Sequence, residues 1–543
     1  GDTGNDQFVM SSGDGNDTID GGDGVDIIDF SAYGNAINIT MSASFQTTIY
    51  GTDTITNVEG IKGSNTAGDT LTGDGNINIL YGMAGADSLY GMDGADTLYG
   101  GSGDDTLFGG AGDDYLNGEA GSNDWVDYTG VSAGMNINLR TGLATGDGTD
   151  TLIGIEHVRV TAGTNTLQGD GNSNNFVGGS GTDTLSYAEA TGAVTISLAT
   201  GTVSGADGSD TFTSIENFTG SSLYGDTFTN NAVWNGTLTG GATGIDIVDY
   251  SSNAATAMTV TNNSSITDGT NTSTLSGIEI IKTGGGNDTF NLSSTSGINT
   301  LDAGTGNDTL SLSGSVDLSL VTLLNFETLN VAAGQTLTIE ASQLSGKTVT
   351  GTGTINAINL DAALTANFTN VAAGITLNVD WYGTGTYTGN LTNVDALTIS
   401  SGTMTVSSTI ITTAPSIGGT GIIKLTDTSI SAAAVKTINA KGANPIDISS
   451  ATTITSSTIA DVLEIVNNTG ATFTTAANYA VTISDTPTLT QINTLLGDTT
   501  GIVTATVTAG TAASLVAGLG NADSNDALTL TVNGATASAA DLI

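Results

Sequence analysis

Residues Gly73 to Val126 form six nine-residue units head to tail: GDGNINILY, GMAGADSLY, GMDGADTLY, GGSGDDTLF, GGAGDDYLN and GEAGSNDWV. Glycine opens each unit and recurs at the fourth position in five of them, and the sixth position of the middle four is Asp87, Asp96, Asp105 and Asp114. The eighth position is Leu80, Leu89, Leu98, Leu107, Leu116 and then Trp125. A short fixed period with glycine where the chain turns and one large apolar residue behind the turn predicts a parallel β-solenoid. Each inward leucine contributes roughly 1.5 to 3 kcal/mol on burial, so the expected core is thin.

The same unit recurs outside the block. GDTGNDQFV (Gly1 to Val9), SGDGNDTID (Ser12 to Asp20), GGDGVDIID (Gly21 to Asp29) and GGSGTDTLS (Gly178 to Ser186) match it, and isolated copies surround Asp246, Asp288 and Asp308. A longer repeat lies between the clusters. An aromatic anchor at Phe30, Tyr128, Tyr187 and Tyr250 is followed 28 or 29 residues later by Glu59, Glu156, Glu216 and Glu279. Alternating runs such as AINITMS, MNINLRT and AVTISLA fill these intervals, which predicts half-buried strands in wider coils spliced into the same stack. The anchors are expected to fill those coils rather than to form a carbohydrate-binding row.

Charge divides the chain. Of 54 acidic and 8 basic side chains, residues 1 to 310 hold 39 and 4, and the overall formal charge is −46. Nucleic acid and anionic lipid are poor partners for such a surface, whereas cations are natural ones. Cysteine is absent, which excludes disulfides and thiol chemistry. No run of 18 apolar residues exists, so no membrane-spanning helix is expected. The sequence opens inside a repeat without an initiator Met, and is expected to belong to a longer or processed protein.

Calcium is a hard cation that takes six to eight oxygen ligands. Glycine at the first, second and fourth positions is expected because the turn adopts backbone angles that a Cβ would obstruct, leaving carbonyl oxygens open. Aspartate at the sixth adds a short-armed carboxylate. Without metal, aspartates stacked one coil apart would repel, so binding and folding are expected to be coupled. Extracellular calcium modules typically work at about 10⁻⁴ to 10⁻³ M, so the segment would fold outside the cell.

GGSGDDTLF, GGAGDDYLN, GGDGVDIID and GGSGTDTLS resemble the RTX, or haemolysin-type, calcium-binding repeats of bacterial type I secreted proteins. That resemblance covers about residues 1 to 310. It implies a right-handed parallel β-roll with two units per coil and several Ca²⁺ ions between loops. The position-six ligands it implies are Asp6, Asp17, Asp26, Asp87, Asp96, Asp105, Asp114, Asp183, Asp246, Asp288 and Asp308. Gly82, Gly85, Gly91, Gly94, Gly100, Gly103, Gly109 and Gly112 belong to the same loops as carbonyl donors. Asn78, Asn123 and Asn174 depart from the pattern, keeping an oxygen but losing the charge, and weaker sites are expected there.

The fold expected is therefore all-β: a calcium-binding β-roll over 1–310, a calcium-poor, Thr/Ala/Ser-rich β-solenoid over 311–470, and a β/α repeat over 471–543. The last rests on TPTLTQINTLLG and TAASLVAGLG, which have helical spacing and alternate with strands GIVTATVTA and DALTLTVNG. No enzyme is expected. A GxSxG sequence places Ser132 at a variable turn, the single histidine, His157, sits at an equally variable position, and no HExxH motif exists. Together these features suit an extracellular structural protein at the cell surface, a subunit of a surface layer or fibre. Self-association and a cell-surface polysaccharide anchor are the expected contacts. A spacer of a giant repeat adhesin and the stalk of a secreted hydrolase are the alternatives.

Overall fold

The computed structural model describes all residues except 14, 48, 50, 362–365, 468–472 and 533–543. The start and the end of the expected 471–543 repeat lie outside the described residues. The chain divides into two compact units, one of Gly1–Asp288 with Gly297–Gly306, the other of Thr289–Ser296 with Asn307–Ile543.

The first unit is a parallel β-roll. Two nonapeptides make one 18-residue coil, because odd units form one sheet and even units the other. Leu80, Leu98 and Leu116 pair in register on strands Ile79–Ala84, Thr97–Ser102 and Tyr115–Ala120. Leu71, Leu89 and Leu107 do the same on the opposite sheet. All six are fully buried, and strand alternation turns the flanking residues outward. There the aromatics stack from coil to coil, Tyr81 on Tyr99 at 4.9 Å and Tyr90 on Phe108 at 4.2 Å.

The last unit of the block departs from its expected register. Leu107 pairs with Val126, and Thr106 with Trp125, so Val126 rather than Trp125 enters the core. The coil holds one extra residue there. Trp125 lies on the outer face instead, under the Arg159 guanidinium at 4.7 Å and beside His157.

The wider coils carry an antiparallel excursion that alternation alone did not specify. Asn136–Asn138, Leu143–Thr145 and Thr149–Ile153 fold as an antiparallel meander, as do Val194–Ser197, Thr202–Gly205 and Gly208–Thr213. The outer strands of each meander then rejoin the parallel stack. Phe30, Tyr128, Tyr187 and Tyr250 are all buried, filling the extra width; none offers a face to a sugar.

In the second unit, Phe290, Leu310, Leu329 and Val349 define one apolar ladder on parallel strands, and Leu337, Ile355 and Leu377 another. Helices join the stack well before residue 471: Ala432–Asn439, Ile459–Val466, Leu489–Asp498 and Ala512–Gly518 each follow a strand. Ser431, Thr458, Thr488 and Thr511 cap their first turns, and Thr488 with Gln491 completes a capping box. Val435, Ile438, Val462, Ile465, Ile492 and Leu495 point inward at helical spacing. No described helix is long and apolar enough to cross a membrane.

A one-leucine-thick core makes each rung count. Leu98→Ala is expected to lower stability in calcium by about 2 to 5 kcal/mol, whereas Leu320→Ala, at a side chain 93% exposed, should stay within about 0.5 kcal/mol. Urea unfolding of both variants checks the contrast.

Candidate metal centre

The position-six aspartates of the tandem block have a divided carboxylate. Oδ1 accepts the backbone N–H of the corresponding residue one coil earlier: Asp87 from Asp69 at 2.6 Å, Asp96 from Asn78 at 2.7 Å, Asp105 from Asp87 at 2.8 Å and Asp114 from Asp96 at 2.8 Å. The ladder ties coil to coil at the turn, where strand pairing ends. Oδ2 is buried without a hydrogen-bond partner in Asp6, Asp26, Asp87, Asp96, Asp105, Asp114 and Asp183. An ionised oxygen so placed is costly unless a cation meets it.

The space it faces is made by glycine. A Cβ on Gly82, Gly91, Gly100 or Gly109 would overlap Oδ2 of Asp87, Asp96, Asp105 or Asp114, respectively, and on Gly82 and Gly91 it would also overlap the carbonyl oxygens of Gly100 and Gly109. The constraint at the first position is thus close approach, not backbone angle. At the fourth, Gly85, Gly94, Gly103 and Gly112 have φ of +135° to +143°, and a Cβ on Gly103 or Gly112 would overlap the carbonyl oxygen of Gly85 or Gly94 one coil away. The second position tolerates side chains, since Met83, Met92 and Glu119 occupy it at φ of 80°, 87° and 65°. Glycine is not required there, contrary to the expectation from the repeat.

These features fit calcium. The donors are all oxygens, each loop offers one unsatisfied carboxylate oxygen with open carbonyls, and loops two units apart face each other. Among the described residues no three acidic or histidine side chains converge, so carbonyls must complete any ion's shell. Calcium supplies positive charge to the Oδ2 row, while the aspartates and glycine carbonyls position it.

The ladder extends beyond the position-six aspartates expected from the repeat. Asp53 accepts from Asp17, Asp69 from Ile37, Asp124 from Asp105, Asp150 from Asp114, Asp210 from Asn174 and Asp226 from Val194, at 2.7 to 3.0 Å. Asp124, not Asn123, holds position six in the last unit of the block, as the added residue requires. Asn78 and Asn174 sit in register, each donating its N–H up the ladder. Asp246 has in-register neighbours after all: it accepts from Asp226 at 2.7 Å. Asp288 accepts from Met258, and Asp308 donates to Glu327.

The glutamates of the longer repeat terminate these runs. Glu59, Glu156, Glu216 and Glu279 accept through Oε2 from the backbone N–H groups of Asp26, Asp124, Asp183 and Asp246 at 2.9 to 3.0 Å. Their spacing was visible in the sequence, whereas their partners were not. His157 is occupied structurally, its Nδ1 accepting from the Asn175 N–H at 3.1 Å, and Ser132 lies on an exposed turn.

Burial, reinforced by neighbouring carboxylates and opposed by the backbone N–H bond, pushes Asp87, Asp114 and Asp124 up to about 7 and Asp96 and Asp246 up to about 6. Unfolded aspartate titrates near ~3.9. Between those values the metal-free roll holds protons that the unfolded chain has lost, so its stability falls as pH rises from about 4 to about 7. Calcium competes with these protons. Its affinity should therefore rise over the same interval, with proton release on binding near pH 6, measurable by calorimetry in buffers of different ionisation heat. Asp105→Asn should weaken calcium binding by at least the roughly 10- to 100-fold lost when a group that merely supports a metal ligand is changed, while Asp317→Asn, in the second unit, should not.

A sequence model of the family described as RTX calcium-binding nonapeptide repeat (4 copies) matches residues 1–32, 64–98, 90–124, 145–185 and 293–318. A search of curated proteins finds no significant match. The matched segments include Asp6, Asp26, Asp87, Asp96, Asp105, Asp114 and Asp183, the same aspartates that the glycine cradles and coil-to-coil hydrogen bonds single out, and also Asp308, which has no glycine at the first position of its unit. With cradle and repeat in agreement, the chain carries RTX-type calcium-binding repeats, and their loops hold several Ca²⁺ ions.

Proposed function

We propose that this protein is structural material of a bacterial cell exterior, a calcium-stabilised subunit of a surface layer or extracellular fibre. The observation that carries this reading is the disposition of charge. All eight basic side chains are engaged within the chain itself. Arg140, Arg159, Lys282, Lys424 and Lys436 form ion pairs with Asp207, Asp127, Asp249, Asp447 and Asp461. Lys347 and Lys441 donate to the carbonyls of Phe326 and Ala414, and Lys62 lies over Tyr81. Among the described residues, Lys62, Lys347 and Lys441 alone keep a charge that no carboxylate pairs, too few against 54 acidic side chains to complement the face of a second copy, so association between copies needs cations from solution.

Calcium therefore has two tasks in this reading. Buried in the loops it folds the roll; at the surface it bridges acidic faces in an assembly. In this reading the chain is not an enzyme, and its buried carboxylates serve coil-to-coil attachment. The anchoring partner of such a layer would be a polysaccharide, reached without basic patches. Negative-stain imaging and light scattering of the purified chain, in calcium and in chelator, test the proposal. Ordered sheets or fibres that require calcium and are not produced by sodium chloride of equal ionic strength are expected. Folded monomers at every calcium concentration would sink it.

A further inference from the structure

The four wide coils form a substitution series within one chain. Counting 22 or 23 residues from the anchor, Phe30 leads to Asp53, Tyr128 to Asp150, Tyr187 to Asp210 and Tyr250 to Ser273. All four are buried, each two residues before a core side chain, Ile55, Leu152, Phe212 and Leu275, on strands Asp53–Thr56, Thr149–Ile153, Gly208–Thr213 and Thr272–Ser276. The Tyr128 and Tyr187 hydroxyls donate to Oδ2 of Asp150 and Asp210, both at 2.6 Å. Tyr250 lies 2.7 Å from the Ser273 hydroxyl, where no carboxylate exists. Phe30 has no hydroxyl to give, and Oδ2 of Asp53 is buried without a partner.

Two contacts recur in the three aspartate coils. A Cβ on Gly51, Gly148 or Gly208, two residues before each aspartate, would overlap the carbonyl oxygen of Gly15, Gly112 or Asn172 one coil earlier. In each, Oδ1 accepts a backbone N–H from the preceding coil. At the aspartate itself the coils differ in the anchor, which supplies a hydroxyl to Asp150 and Asp210 and none to Asp53. A buried neutral donor satisfies the carboxylate oxygen and fills the space before it, whereas its absence leaves an anionic oxygen beside an open carbonyl.

We propose that the hydroxyl of the aromatic anchor decides which wide coils take calcium: Asp53, opposite Phe30, is a calcium ligand outside the nonapeptide motif, and Asp150 and Asp210 are closed to calcium by Tyr128 and Tyr187. The Tyr187 coil, where Arg140 also pairs with Asp207, then holds together without metal and interrupts the calcium-dependent stack, whereas in the Tyr128 coil the hydroxyl closes Asp150 alone and both oxygens of the neighbouring Asp147 stay buried without a partner. This rests on calcium binding by the roll.

Calcium stoichiometry of the full chain, by metal analysis after equilibrium dialysis, tests it, with circular dichroism to verify folding. Tyr187→Phe should gain one ion per chain, and Phe30→Tyr and Asp53→Asn should each lose one. A folded Tyr187→Phe with the native count, or an Asp53→Asn that keeps the native count, would overturn the assignment. Tyr187→Phe that fails to fold even in excess calcium would overturn it too, since the ion should replace the hydroxyl. If the native chain itself bound no calcium, the failure would belong to the metal centre rather than to the anchors.

Discussion

The structure depends on a carboxylate whose two oxygens face opposite demands. In the nonapeptide coils, Oδ1 of a buried aspartate takes a backbone N–H from the coil before, and Oδ2 is left among carbonyls with no proton donor. The first interaction fixes the spacing between coils. The second cannot be tolerated as a bare charge in a stack of like charges. Folding and cation binding are therefore two sides of one event, and the high pKa values of the metal-free ladder are its electrostatic signature.

The chain varies this theme by changing who supplies the missing donor. Tyrosine hydroxyls meet Asp150 and Asp210, and a guanidinium meets Asp207. At Asn174 the charge is removed and the amide donates to the Glu156 carbonyl. Where the run ends, glutamate reaches back with a longer arm, taking the N–H of Asp26 or Asp183 while its own N–H bonds the same residue's carbonyl. The second unit abandons buried carboxylate ladders for apolar ones, and from Ser431 onward hydroxyl-capped helices complete its coils. There the burial of Ile, Val and Leu replaces the ion.

Much of this was legible because the period is short and strict. Glycine at the first and fourth positions, Asp at the sixth and Leu at the eighth are each demanded by a local contact that repeats every coil, and repetition makes a weak local signal strong. Asp53, Asp69, Asp150 and Asp226 were not legible as members of the same ladder because their units lack the first-position glycine, and Asp210 was missed because its full unit, GADGSDTFT, is merged into a run of alternating strand residues. Asp124 was hidden by a single added residue, which shifts Trp125 outward and Val126 inward. The helices at Ala432–Asn439 and Ile459–Val466 carry readable caps at Ser431 and Thr458, but their Ala- and Ile-rich composition blends into the surrounding strands.

The sequence by itself determined the repeat, the parallel stacking of leucines, the acidity that requires cations and the calcium chemistry of the loops, because each follows from residues within nine positions of one another. Only the tertiary structure decided which carboxylates stay open. Tyr187 and Asp210 lie 23 residues apart and Arg140 and Asp207 lie 67 apart, and whether a hydroxyl or a guanidinium reaches a given Oδ2 depends on how one coil is laid upon the next.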